Sequence, residues 1–210
     1  MLRSSRSTFL ASALLLTFSG FAFADIPGLT SFSGGNLATS GSDQLYGWVF
    51  TVNSPITVSA LGVYDVNGVG LSVSHDVGIF EDSSKSLIGS TTVAAGPCGT
   101  LIDSFCYQSV SPFSLAAGDT YTIVMTMPQL NADSQWINNT VVNTASQISY
   151  VTSAFDNSST LVYPIDDGPF SQGLFGPNFL FASTPEPAFY GVLGVGLAAL
   201  IVARRRTRIA

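Results

Sequence analysis

Between Ile26 and Ala182 apolar and polar residues alternate in short runs, and no stretch sustains a helical period. Residues 45–52 set Tyr46, Trp48, Phe50 and Val52 on one face of a predicted strand, which Asn53-Ser54-Pro55 ends. Residues 56–64 resume the pattern, and Asp65-Val66-Asn67-Gly68 reads as a turn. The next strand places Val73, His75, Val77 and Ile79 together, before a polar turn over 81–84. Strands are predicted again over 87–93, 105–110 and 120–127, the last entered through Ala117-Gly118-Asp119. Its Tyr121, Ile123, Met125 and Met127 share one side, and Thr120, Thr122 and Thr126 the other. Weaker runs cover 147–152, 160–163 and 178–182, while the polar, Asn-rich 131–144 reads as a long loop. About nine strands without crossover helices predict an all-β chain with a single antiparallel β-sandwich or jelly-roll-like domain over 25–183.

The two ends depart from this pattern. Arg3 and Arg6 precede an apolar run over 9–18 and the triplet Ala22-Phe23-Ala24, the order of a secretory signal peptide. Residues 1–24 are therefore expected to be removed between Ala24 and Asp25. At the other end, residues 184–210 open with Thr184-Pro185-Glu186-Pro187, continue as an uncharged apolar run over 188–203, and reach Arg204, Arg205 and Arg206. As a helix that run is about 24 Å long, against a hydrocarbon core of about 30 Å. Flanking aromatic and basic residues at the interfaces make up the difference. A transmembrane helix over 188–203 is expected, with the arginines as a cytoplasmic stop and the middle of the chain in the periplasm.

Charge sharpens the division. Residues 25–184 hold twelve acidic residues against Lys85 alone, a net charge of −11. Only 10% of the whole chain is charged, against roughly 25% in ordinary domains. One lysine cannot collect the phosphate contacts that nucleic-acid binding requires, so that partner is excluded.

Pro185-Glu186-Pro187, a short apolar helix and the Arg204-Arg205-Arg206 block, behind a signal peptide, resemble the PEP-CTERM sorting signal of Gram-negative bacteria. The resemblance covers about the last 25 residues, with all three parts in order. It implies an exosortase as partner, a membrane-embedded cysteine protease or transpeptidase. It further implies processing near the motif and delivery to the cell surface or exopolysaccharide matrix. Two prolines around a carboxylate also hold the backbone extended, as a protease needs it. Residues 56–65, Ser74-His75-Asp76-Val77-Gly78-Ile79-Phe80, Ala117-Gly118-Asp119-Thr120-Tyr121 and Gly176-Pro177-Asn178-Phe179 resemble the β-rich ectodomains found ahead of such tails. That second resemblance concerns strand pattern alone and implies no activity.

Candidate chemistry is sparse. Cys98 and Cys106 are the only cysteines, and export sends them to an oxidising compartment, so a disulfide is expected. The rival reading, a metal or redox pair, lacks both the C-x-x-C spacing and a nearby histidine. His75 is the sole histidine, and Ser74 and Asp76 beside it point to the opposite face of a strand, so no hydrolytic triad forms. It reads as a core histidine with one hydrogen bond. Asp65-Val66-Asn67-Gly68, Glu81-Asp82 and Asp166-Asp167-Gly168 are acidic turns that calcium would favour, though none completes a ligand motif. No cofactor and no metal site is expected. Asn138-Asn139-Thr140 and Asn157-Ser158-Ser159 match the glycosylation sequon by chance. No catalytic motif occurs, so the expected role is non-enzymatic: a structural or adhesive protein of the exopolysaccharide layer. The alternative is a carbohydrate-binding module using Trp136, Tyr150, Tyr163, Phe170 and Phe175, with Trp48 assigned to the core. An exported hydrolase with paired aspartates is a third class.

Overall fold

The computed structural model describes residues 25–39, 41–138, 141–165 and 173–183, and positions 194, 196 and 197. Fifteen strands occur among them: β1 (Ile26–Pro27), β2 (Leu29–Ser33), β3 (Asn36–Thr39), β4 (Gln44–Val52), β5 (Ile56–Tyr64), β6 (His75–Glu81), β7 (Ser86–Val93) and β8 (Thr100–Ile102). The rest are β9 (Phe105–Leu115), β10 (Thr120–Met127), β11 (Ser134–Ile137), β12 (Val141–Thr144), β13 (Ile148–Asp156), β14 (Leu174–Phe175) and β15 (Pro177–Ser183). One five-stranded sheet has the order β1-β15-β5-β9-β8 and the other β13-β4-β10-β6-β7. Two small sheets, β14-β11-β3 and β12-β2, flank them. Every paired neighbour is antiparallel.

The alternation read from the sequence builds the core. Tyr46, Trp48, Phe50 and Val52 of β4, and Ile123, Met125 and Met127 of β10, are all buried. They share one cluster with Val58, Leu61 and Val63 of β5 and with Phe179 and Phe181 of β15. Rings join the two large sheets directly. Phe179 lies 5.9 Å from Trp48 in a stacked pair and 5.0 Å from Phe50. The indole N–H of Trp48 donates to the Pro177 carbonyl at 2.8 Å. Such pairs add about 1 kcal/mol each beyond the area they bury. The chain is all-β, in an arrangement consistent with a β-sandwich.

Two backbone features follow from single residues. A Cβ on Gly47 would lie 1.8 Å from the Ile123 carbonyl oxygen, so only glycine admits the close approach of β4 to β10. Pro112 has no N–H to donate, and β9 breaks its pairing with β5 there: Val58 opposes Phe113, whereas Ala60 opposes Ser109.

The structure corrects several sequence expectations. The long loop over 131–144 contains β11 and β12. Both are four-residue strands whose polar composition hides them, and both exist through pairing with distant β3 and β2. The strand predicted over 160–163 is irregular chain. Its alternation is real, since Leu161 and Tyr163 pack with Phe80, Val124 and Ala154 on the outer face of the second sheet. The segment covers that face without joining a ladder. Among the described residues the strands number fifteen, because short pairings as small as β1 and β14 lie below the reach of periodicity.

Among the described residues no helix is long and apolar enough to cross a membrane. The transmembrane helix expected over 188–203 lies outside the described residues except at positions 194, 196 and 197.

Candidate functional site

The sorting residues Pro185, Glu186 and Pro187, the stop residues Arg204, Arg205 and Arg206, and Ala24 all lie outside the described residues. So do Asp166, Asp167 and Phe170. Asp25 is described and exposed, and its Oδ1 accepts a hydrogen bond from Ser59 at 2.8 Å. Strand β15 ends at Ser183, beside Thr184, where the tail begins.

Cys98 and Cys106 form the expected disulfide, with their Cα atoms 5.2 Å apart. Cys106 is on β9, where Leu101 of β8 opposes it, so the bridge staples the hairpin formed by β8 and β9.

The acidic turns are occupied by the protein itself. Asp65 is buried and its two carboxylate oxygens accept the Gly70 N–H at 3.1 and 3.0 Å. Glu81 accepts the Ser84 hydroxyl, and Asp82 accepts that of Thr122 at 2.6 Å. Among the described residues no three metal-ligating side chains converge.

The aromatic candidates divide. Phe175, expected among the exposed aromatics of a glycan-binding face, is instead fully buried on β14. It is the neighbour of Gly176, through which the chain turns into β15. Tyr150, on β13 within the strand predicted over 147–152, packs its ring 5.4 Å from that of Phe175. Trp136 is on β11, half-buried against Phe32 and Tyr64. Its indole N–H makes no hydrogen bond among the described residues. Tyr163 lies on the other side of the molecule, over the outer face of the second sheet. Trp136 and Tyr150 thus both adjoin Phe175, whereas the Tyr163 ring meets that of Phe80. Lys85, the one lysine or arginine between the ends, sits 5.4 Å above the Tyr163 ring. The two residues border a cavity of about 260 Å³ floored by Val49, Thr122, Ser153 and Ala154.

The densest polar arrangement is around His75. Ser74 and Asp76 are exposed on the opposite face and bind Ala95 N–H and Thr92, as the strand period demands. His75 itself is fully buried. It makes two contacts, where one was expected from sequence. Nδ1 lies 2.7 Å from the Thr126 carbonyl oxygen, and Nε2 lies 2.9 Å from Oδ2 of Asp133. Asp133 also accepts the N–H groups of Ser72 and Val73 and the Ser72 hydroxyl. Burial alone pushes the Asp133 carboxyl up, but the bonds from His75, Ser72 and Val73 outweigh it and hold it below the usual aspartate value. Sequence reasoning missed Asp133 because it lies 58 residues from His75 in a stretch read as loop. Burial pushes the Tyr107 hydroxyl far above the ordinary tyrosine value, and the charge of Asp103 adds to the effect.

His75 is fully buried, and Asp65, Glu81 and Asp82 accept hydrogen bonds from backbone N–H groups and hydroxyls. No protein-family model matches the chain, and no curated protein matches it at a significant level.

Proposed function

We propose that this chain is an exported protein sorted by an exosortase, with residues 25–183 forming a single β-sandwich ectodomain. It serves a non-enzymatic, structural or adhesive role at the cell surface or in the exopolysaccharide matrix. The observation that carries this reading is the ordered tail. Pro185-Glu186-Pro187, the apolar run over 188–203 and Arg204-Arg205-Arg206 follow one another directly after the last described strand, which ends at Ser183. Before processing, the apolar run holds the ectodomain at the inner membrane, on the periplasmic side. A disulfide and a net charge of −11 over residues 25–184 are compatible with that destination.

The test is the mass of the C-terminal peptide recovered from the surface or matrix of the host cell. A terminus within 184–187, bare or carrying added mass, is the expected result. A terminus intact to Ala210 in surface material overturns sorting and leaves a membrane-anchored periplasmic domain.

A further inference from the structure

His75 is the only histidine of the chain, and both of its ring nitrogens end on oxygen atoms. The Thr126 carbonyl has no proton to give, so Nδ1 supplies the proton of that 2.7 Å bond. Asp133 is likewise surrounded by donors. Its Oδ1 takes the Ser72 N–H and hydroxyl, each at 2.9 Å, and its Oδ2 takes the N–H groups of Ser72 at 3.1 Å and Val73 at 3.2 Å. A carboxyl accepting so many hydrogen bonds is the ionised form. Nε2, 2.9 Å from Oδ2, must therefore donate as well.

We propose that His75 and Asp133 form a buried, pH-gated latch, in which a doubly protonated imidazolium is held between a carboxylate and a backbone carbonyl. Ser72 and Asp133 both line a cleft of about 220 Å³, together with Val66, Asn67, Gly70 and Ala132. The hydrogen bonds from Ser72 to Asp133 tie the segment before β6 to the segment before β11, and His75 holds the same carboxylate. Protonating Asp133 removes its charge and gives up one accepting lone pair to an O–H, which weakens the hydrogen bonds from Ser72 and Val73. Among the described residues no other titratable side chain hydrogen-bonds the ring, and Tyr64 of β5 and Tyr46 of β4 pack on Phe105 and Phe155. Asp76 projects to the opposite face, Asp65 is spent on Gly70, β10 contributes only Tyr121 at its far end, and β7 contributes none. The depressed Asp133 carboxyl agrees with the ionised state that the hydrogen bonds require.

One histidine gives one pair of ring signals, so ¹⁵N NMR of the full chain reads the latch without assignment. In neutral buffer both ring nitrogens of the folded protein are expected to carry protons, because each faces an acceptor oxygen. An unprotonated ring nitrogen under those conditions overturns the proposal. Asp133→Asn is expected to return the ring to the neutral Nδ1–H form, and a ring that stays doubly protonated in a folded variant overturns it too. Amide exchange supplies a readout that needs no variant. Protection at Ser72 and Val73, relative to amides in the middle of β10, is expected to fall at least about tenfold between about pH 7 and about pH 3. An unchanged ratio refutes the gating.

Discussion

Asn178 and the His75–Asp133 pair perform the same task in different chemistry. Each is a buried polar group that stitches together segments which no ladder joins. Asn178 accepts the N–H groups of Leu29 and Phe179, both at 2.9 Å, and donates to the Leu29 carbonyl at 3.1 Å. Its amide imitates a peptide unit and ties β2 to β15 as a strand neighbour would. The His75–Asp133 pair ties β6 and β10 to the segment leading into β11. The amide carries no titratable proton, so its contribution is constant with pH. The ion pair works only while its protons are correctly placed. Uncharged stitches give permanence, and charged ones give a response.

Substitution at Asn178 should have the largest effect. Asn178→Leu leaves both backbone groups of Leu29 and the Phe179 N–H without their partner, at about 3 kcal/mol or more. Urea unfolding should show that loss equally at acid and neutral pH, and a strong pH dependence would erase the contrast with the latch. Replacing Cys98 and Cys106 together by alanine frees a short loop in the unfolded chain, worth about 2.5 kcal/mol on the chain-entropy model. That loss should also be flat with pH, as unfolding curves of the double variant would establish.

Asp133→Asn should cost about 2 kcal/mol at neutral pH. Here the sign matters. The folded carboxyl lies below the ordinary value of 3.8, so its stabilising contribution is complete above that value and declines as the pH falls through the folded one. The difference between wild type and Asp133→Asn in thermal unfolding should accordingly shrink below about pH 4. A difference that persists undiminished there would show that the side chain acts through packing. Lys85→Ala removes a cation from above Tyr163 and should cost only about 0.5 kcal/mol. A much larger loss in the same assay would mean that the cover formed by 160–163 depends on the lysine.

What the sequence disclosed was whatever depends on near neighbours. Residues 56–64 were readable as a strand to the residue, because β-branched alternation there coincides with the ladder of β5. The burial of Trp48, and of His75 together with Val77 and Ile79, followed from the period of two. What stayed hidden depends on partners far along the chain. Asp133 looks like any polar loop residue until the fold brings it 2.9 Å from His75. Asn178 stands in a strand position that a polar side chain usually meets facing solvent, and only the arrival of Leu29 makes it a core residue. At 160–163 alternation was present without pairing, because a period of two records where side chains point and says nothing about where the N–H groups go.

The smallest strand has a consequence for assembly. Ile26 pairs with Phe181 and Pro27 with Leu180, and the Gly28 N–H reaches the Phe179 carbonyl. These three residues cover the outer edge of β15, and Pro27 withholds the donor on which a further strand would build. A chain that begins at Asp25 keeps a terminated sheet. A chain trimmed as far as Gly28 presents the apolar Phe179-Leu180-Phe181 stretch as a bare edge, a template on which neighbouring molecules add strand to strand.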